Sequence, residues 1–97
     1  MPASASIKDQ IRDYITESAK YAGVTGITDS TSLIDAGVID SLQLVRVVSF
    51  LEETFGVSVA DEEIVPKNFE SIDGMERLVL DKLAGRGAAA QGSSSVN

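Results

Sequence analysis

Apolar residues recur at helical spacing in three stretches of the chain. Ile7, Ile11, Ile15, Ala19 and Ala22 form one stripe. Ser6 stands before it as a candidate cap, with Asp9 three residues on completing a capping-box pattern, and Gly23 and Gly26 close it. Leu44, Val47, Val48, Leu51 and Phe55 make the second stripe, from a start at Asp40 to a stop at Gly56. Gln43 sits where a capping box wants its partner. Val47 and Val48 are β-branched and favour strands, but the length, the cap and the Leu44, Val48, Leu51, Phe55 spacing select helix. Ile72, Met75, Leu78, Val79 and Leu83 share a third face behind a cap at Ser71, with Gly74 a minor weakness in its first turn. Between the second and third stripes, Asp61, Glu62 and Glu63 read as the start of a short helix that Pro66 keeps from continuing far. The pattern predicts an all-α fold, a small antiparallel four-helix bundle of three longer helices and one short one. Met75 and the phenylalanines belong to its core.

Two stretches carry no such period. The run VTGITDSTSLIDAGVID is long for a connection, and long loops in compact domains often carry function. Leu33, Ile34 and Ile39 are its expected anchors to the core. From Gly85 the sequence reads GRGAAAQGSSSVN, with almost nothing to bury. It is expected to be disordered, which gives a domain over residues 1–85 and a tail over residues 86–97.

Composition narrows the chemistry. The 97 residues suffice for one domain. No apolar run approaches the length of a bilayer span, and MPASASIKDQ lacks the basic and apolar regions of a signal peptide. The cytoplasm is the default compartment, and no membrane partner is expected. Cysteine and histidine are both absent, which excludes disulfides, a thiolate nucleophile, a Ser-His-Asp triad and histidine-ligated metals. An enzyme would have to work with carboxylates, lysine, tyrosine or serine alone. The net charge of −7 falls entirely between Asp29 and Glu63, where eight acids face Arg46 alone. Phosphate would be repelled, so nucleic acid is not a partner, whereas a partner with a basic patch would be steered here. The acidic loop prompts a calcium reading, but Asp29 to Asp40 lacks the ligand spacing and central glycine of an EF-hand. No metal is expected.

Ser41 is the residue that needs explaining. If Asp40 is the N-cap, Ser41 is the first helical residue and its hydroxyl is free to face solvent. A phosphodiester there would meet unpaired N–H groups and a partial positive charge. Alternatively Ser41 is itself the cap, the commoner role for a serine at a helix start. A helical module that docks partners without any modification fits the same residues.

The run LIDAGVIDSLQLVRVVSFLEETFGVSV resembles the phosphopantetheine attachment region of acyl and peptidyl carrier proteins. Asp40-Ser41-Leu42 falls where that family opens its second helix. Leu33, Asp35 and Gly37 precede it in the family's loop pattern, and Leu51, Glu52, Glu53, Phe55 and Gly56 close the helix in the family's manner. EEIVPKNFESI is similar to the third-helix region, and the likeness covers roughly residues 7 to 84. The resemblance implies a non-catalytic, monomeric carrier of the acyl-carrier fold. A phosphopantetheinyl transferase would join 4′-phosphopantetheine to Ser41, and the arm's thiol would hold acyl or aminoacyl groups as thioesters. A loading enzyme and a downstream synthase would be the further partners, with Asp40, Leu42, Val45 and Arg46 as contact residues. The family's fatty acid carriers show a strongly acidic outer face on the second helix. Here that face reads Leu42, Gln43, Val45, Arg46 and Ser49, with acids held back to Glu52 and Glu53. This departure favours polyketide, nonribosomal peptide or related specialised biosynthesis over fatty acid synthesis.

Overall fold

A computed structural model describes residues 6–92, with side chains through Gly85. Four α-helices and a 3-10 turn make up the order: α1 Ile7–Ala22, α2 Ser41–Phe55, the 3-10 turn Asp61–Glu63, α3 Pro66–Phe69 and α4 Ile72–Gly92. No strand occurs among the described residues, and the fold is a small all-helical bundle. Among the described residues, no helix is long and apolar enough to cross a membrane.

Local signals set the helix ends. Ser6 Oγ accepts from Asp9 N at 3.0 Å to open α1, and Gly23 closes it in a left-handed conformation. Ser71 Oγ accepts from Gly74 N at 3.0 Å at the start of α4. The stripes then meet in one core. Ile11, Ile15 and Ala19 of α1, Val47 and Leu51 of α2, Phe69 of α3, and Ile72, Met75, Leu78 and Val79 of α4 are all buried. Tyr14 stacks on Phe50 with ring centroids 4.1 Å apart, and Phe55 meets Phe50 edge-on at 6.1 Å. Gln43 Nε2 donates to Ser18 Oγ at 2.8 Å. Moving from Tyr14 to Ser18 along α1 therefore means moving back from Phe50 to Gln43 along α2, so the two helices run antiparallel.

An ionic cluster ties the long loop to α1 and to the start of α4. Arg12 grips Asp29 with two parallel bonds of 2.9 Å, and Lys8 pairs with Asp73 at 2.9 Å and Glu76 at 3.5 Å. Asp29 also accepts the Asp73 N–H through its backbone carbonyl, at 3.0 Å. The Arg12 guanidinium holds the carboxyls of Asp29 and Asp9 below the usual carboxylate range. Lys82 does the same for Glu63, whose carboxylate also accepts the Ala60 N–H.

Four expectations change. Ile34 stays exposed, and Val38 takes the core position beside Leu33 and Ile39. Ala22 is likewise exposed, so the α1 stripe ends at Ala19. Gln43 spends its side chain on Ser18 of α1 instead of returning to the Asp40 backbone. Asp61–Glu63 is a 3-10 turn that ends at Ile64, and Pro66 starts α3 instead of stopping a helix. Its missing N–H and fixed φ suit the first helical position. The backbone of α4 runs as helix as far as Gly92. Residues 93–97 of the expected tail lie outside the described residues.

Gly74 is the close-approach point between α3 and α4. A Cβ added there would lie 3.1 Å from the Lys67 carbonyl and 3.3 Å from that of Asn68. In an open helix Gly→Ala would gain roughly 1 kcal/mol, several degrees of melting temperature in a domain this size. The crowding cancels that gain, so Gly74→Ala should melt at or below the wild-type temperature. A rise of several degrees would show that the contact is slack.

The ionic cluster makes stability depend on pH. Asp9, Asp29 and Glu63 hold their charge more readily in the folded chain than in the unfolded one. Their contribution is complete above the ordinary carboxylate range and fades as pH falls through their lowered folded values. Melting temperature should therefore drop from about pH 4 downward, and drop less steeply in Arg12→Gln. Identical acid profiles for the two proteins would remove the cluster from the account.

Candidate functional site

The long loop delivers α2 to its starting point. Leu33 is buried, and its N–H donates to the Glu70 carbonyl at 2.7 Å. Its own carbonyl accepts from Val38 N at 2.9 Å and Ile39 N at 3.2 Å. Closing this turn puts Gly37 at φ +83°, a conformation that side-chain-bearing residues rarely adopt. Val38 and Ile39 are thereby drawn into the core, and the next residue, Asp40, emerges at the surface.

Asp40 is the N-cap. Its backbone is extended, its Oδ1 accepts from Gln43 N at 2.8 Å, and its carbonyl accepts from Leu44 N at 2.8 Å. Ser41 is consequently the first residue of α2, and it is exposed. Among the described residues, its hydroxyl has no hydrogen-bond partner, and the Ser41 and Leu42 N–H groups have none either. Between the two roles open to Ser41, the geometry gives the cap to Asp40. An exposed, uncommitted hydroxyl beside two unused N–H donors suits a phosphodiester.

The other sequence-predicted contact residues surround it. Leu42 and Val45 are each 63% exposed, far more than their types require. Arg46 is exposed and makes no ion pair among the described residues. The acidic segment is divided by the fold. Asp29 is held by Arg12, Glu63 by Lys82, and Glu52 Oε2 accepts from Val59 N at 2.9 Å. Asp35, Asp40, Glu53, Asp61 and Glu62 face water. Part of the charge that a sequence reading assigns to partner steering thus holds the fold together.

Ser41 lines neither of the two main hollows formed by the described residues. A hollow of about 400 Å³ lies at the opposite end of α2, lined by Gly56, Val57, Ser58, Glu63, Asp81, Lys82 and Gly85. Ser41 itself lies exposed on the first turn of α2. Sequence reasoning missed the Gln43 to Ser18 bond, which fixes the first turn of α2 against α1. Nothing local signals it, because glutamine three residues after an aspartate fits a capping box equally well.

Comparison with known proteins agrees with this geometry. Residues 9–79 match the phosphopantetheine attachment site family. The chain is 32% identical over 57 residues to "Aminoacyl carrier protein 1" of Bradyrhizobium diazoefficiens, covering 59% of this chain and 62% of that protein. It is 33% identical over 54 residues to "Probable acyl carrier protein PigG" of a Serratia species, covering 56% of this chain and 62% of that protein. The matched stretch thus spans just under two thirds of either relative's length. With the family match running through all of α2 and its cap, the chain belongs to the phosphopantetheine attachment site family, carrier proteins whose prosthetic group is 4′-phosphopantetheine.

Proposed function

We propose that Ser41 bears the phosphopantetheine arm and that the protein is a non-catalytic carrier of acyl or aminoacyl groups in specialised biosynthesis. The observation that carries this reading is the exposed Ser41 hydroxyl at the first position of α2, left uncommitted because Asp40 caps the helix. Attachment joins Ser41 Oγ to the phosphorus of the pantetheine arm of coenzyme A. The phosphoanhydride bond breaks, 3′,5′-ADP leaves, and the serine proton passes to a base on the transferase, since this chain has no histidine to take it. The Ser41 and Leu42 N–H groups would then face the phosphodiester, and Asp40 would hold the helix start in place. When bound, the group supplies a thiol for thioester formation, chemistry that a chain without cysteine cannot supply itself.

Two features favour specialised biosynthesis over fatty acid synthesis. The outward residues Leu42, Val45, Arg46 and Ser49 of α2 include no acid, and Glu52 is occupied by the Val59 N–H. One relative is named for an aminoacyl group. Partners would be a phosphopantetheinyl transferase, a loading enzyme and a downstream synthase, meeting the carrier at Asp40, Leu42, Val45 and Arg46.

Incubation with coenzyme A and a phosphopantetheinyl transferase tests the attachment. Intact mass should show one arm on the wild type and none on Ser41→Ala, with peptide mapping placing it on Ser41. An equal mass gain on the alanine variant would move the site elsewhere. No gain on either would favour an unmodified docking module.

A further inference from the structure

Tyr21 is 96% exposed, more than any other large apolar residue with a described side chain. Its side chain has no hydrogen bond and no ring contact among the described residues. Its position along α1 is informative. Tyr14 and Ser18 mark the side of α1 that meets α2, through Phe50 and Gln43. Tyr21 lies seven residues after Tyr14 and three after Ser18, so it continues that side of the helix. The antiparallel register carries it to the end of α2 that begins with Ser41. On α2, Arg46 lies three residues after Gln43 and four before Phe50, on the flank that meets α1. Tyr21 therefore continues, across the α1–α2 seam, the surface formed by the exposed Leu42, Val45 and Arg46.

We propose that Tyr21 is a contact anchor for the transferase that modifies Ser41, extending the docking surface from α2 onto the last turn of α1. The inference rests on Ser41 being the attachment residue. The occupant follows from position, because an enzyme reaching the Ser41 hydroxyl has to cover the start of α2 and what borders it. A tyrosine ring in water adds nothing to this fold, whereas at an interface it offers a large, stiff apolar surface at small entropic cost. Lys20, the next residue back, lies off this side of α1 and pairs with Glu17 at 3.4 Å.

The test is the steady-state kinetics of a phosphopantetheinyl transferase with saturating coenzyme A and the full-length apo-carrier as varied substrate. Tyr21→Ala should raise the KM for the carrier at least five-fold with kcat and melting temperature little changed. Tyr21→Phe should restore the wild-type KM, since the ring makes the contact, and Lys20→Ala should match wild type. An unchanged KM for Tyr21→Ala, with the wild type fully modified at Ser41, overturns this inference alone. Equal impairment of Tyr21→Phe overturns the assignment to the ring, and a fall in melting temperature matching the kinetic loss assigns Tyr21 to the fold. A wild type that takes no arm overturns the attachment reading and this inference with it.

Discussion

The bond from Gln43 N to Asp40 Oδ1 decides where α2 begins, and the site's chemistry depends on that decision. A helix start needs a side-chain acceptor for its unpaired N–H groups, and aspartate and serine are both suited to provide one. Here they are adjacent, and only one of them caps. Had Ser41 taken the role, its hydroxyl would be bound to its own backbone and turned from solvent. With Asp40 as cap, Ser41 moves one position into the helix and its hydroxyl is left exposed and uncommitted.

Holding Asp40 at that point takes much of the fold. The turn closed on the Leu33 carbonyl buries Val38 and Ile39 and so fixes the residue after them. Leu33 is itself fixed by burial and by the Glu70 carbonyl, just before α4. Further back in the loop, Asp29 is clamped by Arg12 of α1 and bonded to the start of α4. Gln43 completes the arrangement by tying the first turn of α2 to Ser18. Ser41 is therefore surface-exposed while the residues on either side of it are tied into the core and to α1.

What the sequence disclosed was mostly local. The three long helices were legible because their stripes and their caps at Ser6, Asp40 and Ser71 agree. The place of Ser41 was legible only in company. Residue chemistry alone left capping and free roles open, and the flanking resemblance favoured the free one. What stayed hidden depends on tertiary contact. Ile34 and Val38 are both aliphatic and four residues apart, and only the turn at Gly37 selects Val38 for burial. Pro66 reads as a helix breaker or a helix starter according to where the preceding turn ends. Gly74 looks like a flaw in α4 until the carbonyls of Lys67 and Asn68 are set against it.

The division of labour between Asp40 and Ser41 is the central claim, and paired denaturant unfolding of two single variants tests it most directly. Asp40→Ala should lose about 1 kcal/mol, the usual cost of removing an N-cap. Ser41→Ala should stay within about 0.5 kcal/mol of wild type, as exposed substitutions that break no bond do. The reverse order, with Ser41→Ala the costlier change, would show that serine caps α2 and would contradict the account.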